Sequence, residues 1–172
     1  MPISIKHVIA AAASLTIQVS LSFIAFHDSA VAATAPAPSQ PEALVAQVYR
    51  HLIADERNSP PRYSPPETIF APRLKSLVVA ARRRAHGDAP CGLDFVFWVN
   101  GQDYSIKDLN VTIGGSSTPG RATVIATFRN SGTPEKIVFD FQNVGGRWLL
   151  DDAHSVLGEE KWTFSKLLRC ES

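Results

Sequence analysis

The segment CGLDFVFWVNGQDY, residues 91–104, marks the point at which the character of this sequence changes. It is the densest aromatic segment of the chain, and it also contains a cysteine, two aspartates and a glutamine. Before it, apolar residues recur with helical spacing, whereas after it they alternate with polar residues as in half-buried strands. This order predicts an α+β domain in which residues 91–104 connect the helices to the sheet.

Two amphipathic helices are predicted before this segment, and four prolines between residues 59 and 67 separate them. The apolar stripe of the first consists of Leu44, Val45, Val48, Tyr49, Leu52 and Ile53. That of the second consists of Leu74, Leu77, Val78, Ala81 and Ala85. Ser39 and Glu42 have capping-box spacing before the first helix, and Gly87 is placed to end the second. Arginines 82–84 fall in the last turns of the second helix, where a solvated helix end is favoured over an anion site.

Four strands are predicted after the segment. Their apolar residues are Leu109, Val111 and Ile113, then Ala122, Val124, Ala126 and Phe128, then Ile137, Phe139 and Phe141, and finally the run 147–151. Turns are predicted at residues 114–120, 130–134 and 145–146. A short final helix contains Trp162, Phe164, Leu167 and Leu168. We therefore expect helices packed on a curved antiparallel sheet of four to five strands.

The first 33 residues are predicted to be a secretory signal peptide. Lys6 and His7 precede an apolar run at 8–26, and the sequence AVAA at 30–33 offers an Ala-x-Ala cleavage site. A membrane anchor is the alternative, because the run approaches the length of a bilayer span. Residues 34–41 are Ala/Pro-rich and indicate a tether, and residues 42–172 suit a single domain. We expect a bacterial protein that is periplasmic or secreted, without membrane attachment after cleavage.

Charge and cysteine content limit the partners. The chain has 17 basic and 16 acidic residues, a formal net charge of +1, which gives no electrostatic case for binding nucleic acid. Cys91 and Cys170 are the two cysteines, and an even count in an exported chain predicts a disulfide. Two free thiols are the alternative, but no Cys/His arrangement suggests a nucleophile.

Two motifs resemble those of a known family. Asp94, Phe95, Asn100, Gln102 and Asp103 match the signature Asp-Phe-Asp-Pro-Phe-Leu-Asn-Ala-Gln-Asp-Trp, in which Tyr104 replaces the last residue. Val96 and Phe97 depart from it and remove an acid and a proline. The segment GRWLLDD, residues 146–152, is similar to a second signature of a glycine and a tryptophan followed by an acid. The chain thus resembles an exported bacterial family, without an assigned role, that includes lipoproteins. The resemblance implies an NTF2-like, cone-shaped fold.

The sharpest chemical candidate is a group of four carboxylates, Asp94, Asp103, Asp151 and Asp152. In a cone, residues at the inner ends of strands can converge, and two close carboxylates would have separated pKa values suited to acid/base chemistry. The favoured interpretation is that these acids bond turn and loop amides.

Aromatic residues that have polar tips are typical of ligand pockets, but packing of these residues in the core is the favoured interpretation. The candidate ligand-binding residues are Tyr49, Asp94, Trp98, Gln102, Asp103 and Tyr104. No catalytic residue, cofactor or metal is predicted, because His51, His86 and His154 lack paired spacing and no Gly-x-Ser-x-Gly motif occurs.

The sequence therefore predicts an exported, non-catalytic binding or accessory domain that holds a small apolar ligand or a protein partner. A second hypothesis is an inhibitor or immunity-type protein that blocks an exported enzyme through the loop 155–161. A third is an isomerase-like enzyme with Asp94 or Asp103 as general base.

Overall fold

Two helices precede the sheet, as the change in periodicity predicts, and a short third helix follows it. The structure, a computed structural model, describes residues 40–58, 63–85, 93–115, 118–158 and 161–170. Its elements are α1 (Pro41–Asp55), a 3-10 turn (Glu67–Ile69), α2 (Pro72–Ala85), β1 (Ile106–Gly114), β2 (Arg121–Asn130), β3 (Thr133–Val144), β4 (Arg147–Ser155) and α3 (Phe164–Leu167). The strands form an antiparallel sheet in the order β1-β2-β3-β4. The α+β class and the short final helix are confirmed, and the NTF2-like shape stays a prediction.

Several predicted features lie outside the described residues. They are the signal peptide, the tether up to residue 39, Ser39 of the capping box, Gly87 and Cys91. The described residues include no free cysteine, and the Cys91–Cys170 pairing stays a prediction. A helix with the length and apolarity of a membrane span is absent from the described part of the chain.

The core lies between the helices and the inward side chains of β2 and β3. Val45, Val48, Tyr49 and Leu52 are the buried apolar residues of α1, whereas Ile53 is 39% exposed and departs from the predicted stripe. α1 contacts β1 and β2, and α2 and α3 contact β4. The helices cover alternating residues of the two central strands, Ala122, Val124, Ala126, Phe128, Ile137, Phe139 and Phe141.

Two β-bulges shift the register of the outer strands. In β1 the pairing with β2 shifts between Lys107 and Asn110, where Asp108 has a φ of 54°. In β4, Asp140 pairs with Asp152 and Phe141 with Leu150, so that Asp151 is the extra residue. The fourth strand continues past this bulge to Ser155, beyond the predicted end at residue 151.

The turn between β2 and β3 is shorter than predicted. Asn130 pairs directly with Thr133, which leaves only Ser131 and Gly132 in the turn. Both have positive φ, 50° and 90°, as a tight turn that matches the twist of the strands requires. The expected five-residue loop at 130–134 is therefore wrong, because the strands extend to the turn itself.

Two short segments cover the outer edge of β4. The amide of Ala71 donates to the carbonyl of Leu150 at 2.7 Å, and the amide of Ser155 donates to the carbonyl of Trp162 at 3.1 Å. The segment before α2 and the segment before α3 are thus fixed to one strand. This brings the 3-10 turn, α2 and α3 to the same side of the fold.

Candidate functional site

An apolar cavity of about 340 Å³ lies where four segments meet: residues 63–70, α2, residues 93–98 and α3. Its volume falls within the range of small-molecule sites. The apolar part of its wall consists of Pro65, Phe70, Val78, Leu93, Val96, Phe97, Trp98, Phe164 and Leu168. The cavity is therefore built from the aromatic segment 91–104 together with residues that precede it and residues that follow it in the chain.

Stacked aromatic rings form one wall of this cavity. Phe97 stacks on Phe164 of α3 with ring centroids 4.0 Å apart and lies 5.1 Å from the ring of Trp98. Trp98 in turn stacks on Phe139 of β3 at 4.6 Å. The rings link the cavity to the sheet, and they fix the wall without a ligand.

One ion pair contributes the charge at the cavity. Arg82 of α2 donates through Nη1 to Oε1 of Glu67 in the 3-10 turn, and both residues line the cavity. The Arg82 side chain is 64% exposed and that of Glu67 is 31% exposed. Tyr63 and Ser64 bring further polar groups to the same wall. The cavity therefore combines an apolar interior with a charged rim.

Trp98 carries an unsatisfied donor. It is 2% exposed, and its indole Nε1 has no hydrogen-bond acceptor among the described residues. Its backbone carbonyl accepts a 2.7 Å hydrogen bond from the hydroxyl of Tyr49, which is fully buried. Burial, and secondarily the charge of Glu135, raises the pKa of Tyr49 well above its ordinary value. Tyr49 is thus a neutral donor that positions the Trp98 backbone.

Asn100 connects three parts of the chain. It has a left-handed backbone with a φ of 54°. Its Nδ2 donates to Oε2 of Glu135 at 3.0 Å, and its Oδ1 accepts a hydrogen bond from Nε1 of Trp162 at 2.7 Å. Glu135 is 8% exposed, and burial raises its pKa although the bond from Asn100 opposes the shift. This network attaches the segment before α3 to the aromatic turn.

Asn130 holds the turn 96–101 on the end of β2. The turn itself closes through the amide of Val96, which donates to the carbonyl of Gly101 at 2.9 Å. Asn130 is buried, donates through Nδ2 to the carbonyl of Val99 and accepts from the amide of Ser105, both at 3.0 Å. A Cβ at Gly101 would lie 2.9 Å from Nδ2 of Asn130, so this close approach requires glycine.

Trp98 is the only predicted ligand-binding residue that lines the cavity in the described part of the chain. Tyr49 lies behind it in the core. Asp94 and Gln102 come together, since Nε2 of Gln102 donates to Oδ2 of Asp94 at 3.0 Å, but both are exposed. Asp103 is also exposed.

Tyr104 lies at a separate acidic cluster. Burial raises its pKa, as do the neighbouring Asp55 and Glu56 carboxylates. Its hydroxyl is close to Asp55 but makes no hydrogen bond of normal geometry. Asp55 accepts from the amide of Tyr63 at 2.7 Å, which ties the end of α1 to the wall of the cavity.

The four candidate carboxylates do not form one group. Asp151 accepts from Nε of Arg73 at 3.0 Å and from Nη1 of Arg121 at 2.7 Å. Burial alone would raise the pKa of Asp151, but these hydrogen bonds and the arginine charges outweigh it, and the net shift is downward. Asp152 binds α3, where its Oδ1 accepts from the amide of Ser165 at 3.0 Å. Both acids hold structural elements together.

Glu135 and Asn130 are not among the predicted site residues, although the sequence pattern contains a signal for both. Glu135 is in phase with Ile137, Phe139 and Phe141, and Asn130 is in phase with Phe128. A polar residue at an inward position of a half-buried strand must find a buried partner. Arg82 and Glu67 were also missed, because the helix-end interpretation of residues 82–84 assumed only solvent around them.

In the part of the chain that the structure describes, histidine and acidic side chains do not cluster as a metal site would require. Within the described ranges, no group of three or more His, Cys, Asp or Glu side chains could hold an ion. His51 stacks on Tyr63 with ring centroids 4.9 Å apart, and Nδ1 of His154 lies 3.6 Å from Oδ2 of Asp140.

Comparisons with known proteins give little to add to this geometry. No family model matches the chain, and no curated protein matches it. A chain of the crystal structure of the type VI native effector-immunity complex Tae3-Tai3 from Ralstonia pickettii is 19% identical. The match covers 70% of this chain and 98% of that chain with a TM-score of 0.49. A likeness at this level carries no information on activity or partner.

Proposed function

We propose that this chain is an exported, non-catalytic binding domain with an NTF2-like fold, and that its cavity holds a small apolar ligand. The observation that carries the proposal is the cavity of about 340 Å³ with a wall of stacked aromatic rings. Its rings are held by the core on one side and by α3 on the other. A site of this kind needs little ordering on binding, which lowers the entropic cost of association.

The surroundings of the cavity favour binding over catalysis. Neither Asp94 nor Asp103 is among its described lining residues, and its one described carboxylate, Glu67, is paired with Arg82. A general base must lie within hydrogen-bond reach of the proton that it removes. None of the cavities found among the described residues is lined by Asp94 or Asp103, so the isomerase-like hypothesis gains no support from them.

The expected affinity follows from the size of the cavity. At about 30 Å³ per water-sized group, the cavity holds roughly eleven non-hydrogen atoms. Burial of about 250 Å² of ligand surface at about 25 cal/mol per Å² contributes roughly 6 kcal/mol. That corresponds to a Kd of about tens to hundreds of micromolar for a simple apolar molecule.

A cavity-filling variant tests the proposal. Val78 is 6% exposed on α2 and lines the cavity, so Val78→Phe should fill part of it. Binding of 1-octanol, followed by tryptophan fluorescence because Trp98 lies in the wall, should weaken at least tenfold. Val79→Phe is the matched control, since Val79 lies next in α2 but is not among the described lining residues. The proposal fails if wild type does not bind 1-octanol or if both variants bind it equally.

A second candidate is a protein inhibitor of the immunity type that binds an exported enzyme. The observation that favours it is the loop after β4, where adjacent Val156 and Leu157 are 36% and 42% exposed. Exposed neighbouring aliphatic residues are typical of contact patches. Capture from a periplasmic extract with wild type and with Leu157→Asp tests it. An enzyme that is bound and inhibited by wild type, and released by the variant, would support this candidate.

A further inference from the structure

We propose that the natural ligand of the cavity is an anionic amphiphile, a short hydrocarbon chain with one carboxylate, whose head binds Arg82. This inference rests on the proposed function and specifies its ligand class. The volume of about 340 Å³ suits about seven to nine carbons together with the carboxylate. The charged residues at the rim of the cavity then determine which head group binds most tightly.

Arg82 has N–H donors beyond the one that binds Glu67. Its one described hydrogen bond runs from Nη1 to Glu67, and no other acceptor within the described ranges engages the guanidinium. A guanidinium carries five N–H donors in a planar fork that matches a carboxylate. Arg82 can therefore keep Glu67 on one nitrogen and bind a ligand carboxylate with the others.

The cation of the ion pair at the cavity is more accessible than its carboxylate partner. Arg84 donates through Nη2 to the carbonyl of Leu168, which is itself a lining residue, and so brings a second cation close to the wall. Glu67 is the acid among the described lining residues. Asp55 likewise accepts from the amide of the lining residue Tyr63, so these charges balance. The Arg82 side chain is 64% exposed against 31% for Glu67, and this greater access favours an anionic head group over a cationic one.

The unsatisfied polar atom of the wall is also a donor. Nε1 of Trp98 is buried without an acceptor in the described part of the chain. This atom has no surface open to the cavity, so a ligand head group there does not reach it. The donors that favour a hydrogen-bond-accepting head group are therefore those of Arg82 at the rim.

Three eight-carbon probes with different heads test the inference on the full chain. Octanoate, 1-octanol and octylamine are titrated by calorimetry below their micellar concentrations. Octanoate is expected to bind about fivefold to tenfold more tightly than 1-octanol, as a charge-assisted contact at a partly exposed arginine allows. Arg82→Gln should remove this advantage, so that the ratio of the octanoate affinity to the 1-octanol affinity falls to about one. Arg83 is the exposed neighbour of Arg82 and is not among the described lining residues of this cavity, so Arg83→Gln should bind octanoate and 1-octanol as wild type does.

Glu67→Gln gives a test in the opposite direction. It removes the negative charge next to Arg82, so octanoate should bind about twofold to fivefold more tightly than to wild type. Equal binding of octanoate and 1-octanol would overturn the anionic ligand and leave the proposed function standing. Tighter binding of octylamine would also overturn it, with Glu67 as the anchor. Failure of all three probes to bind would overturn the proposed function as well.

Discussion

Asn130→Ala is expected to destabilise the domain by about 2–4 kcal/mol. Asn130 is 8% exposed and bridges β2 to the turn 96–101, with two hydrogen bonds of 3.0 Å to Val99 and Ser105. Val99 is fully buried, so its carbonyl loses its partner where water cannot replace it, at a cost of about 1–3 kcal/mol. Ser105 is half-buried and contributes less. Loss of the side chain volume adds a small cavity term.

Urea unfolding followed by tryptophan fluorescence measures this change. At an unchanged m-value, the midpoint should fall by about 1–2 M, because m is about 1–3 kcal/mol per M for small domains. Asn110→Ala is the matched control: Asn110 is exposed on β1, and its loss should shift stability by less than about 0.5 kcal/mol. If the two variants unfold at the same urea concentration, the turn does not depend on Asn130, and the account of residues 91–104 as a structural connection is wrong.

Three further predictions concern charge and redox state. Asp151→Asn should lower the unfolding free energy by about 1–2 kcal/mol at neutral pH, and this difference from wild type should vanish in acid. The pKa of Asp151 is lowered in the folded protein, so its stabilising contribution is present above the ordinary value of 3.8 and is lost as the pH falls through the lowered value. Glu135→Gln should change the pH dependence of stability in the opposite direction. Its raised pKa means that wild type loses stability as the pH rises from 4.5 through the raised value, so the variant should gain on wild type towards neutral pH in paired unfolding curves. Reduction of the predicted Cys91–Cys170 disulfide should lower unfolding free energy by up to about 4 kcal/mol, and intact mass without reductant should be about 2 Da lower than with it.

The periodicity of the chain was sufficient to predict the elements. Burial explains both the apolar stripe at Val45, Val48 and Leu52 and the alternation along β2 and β3. A helix repeats every 3.6 residues and a strand every two, so each pattern marks the side chains that face the core. The two bulges could not be predicted in this way. Each bulge shifts the inward positions by one residue, from Ile106 to Leu109 in β1 and from Leu150 to Ala153 in β4, but the end of a strand produces the same break in alternation. The extra residue of β4, Asp151, binds Arg73 and Arg121, which are distant in the sequence.

The site was harder to predict than the fold. Aromatic density pointed to Trp98, but four of the other five candidates are its neighbours in the chain, and neighbours in a turn point in different directions. Phe70, Val78 and Phe164 join Trp98 only because two segments pair with the edge of β4. A cavity made by such long-range pairing leaves no local motif. The sequence signals of such long-range pairing are single polar residues at inward positions of apolar runs, because a buried polar side chain needs a hydrogen-bond partner.

The aromatic segment is both a structural connection and part of the cavity wall, and the two roles have a common consequence. The ring of Trp98 contacts Phe139 in the core and lines the cavity, while its backbone is held by Tyr49. A ligand that packs on this ring binds the folded state alone, so it must raise the unfolding free energy by an amount set by its concentration and Kd. At ten times the Kd, the gain is about 1.4 kcal/mol. Variants that loosen the turn, such as Asn130→Ala, should therefore weaken binding and stability together, whereas Val78→Phe should separate them.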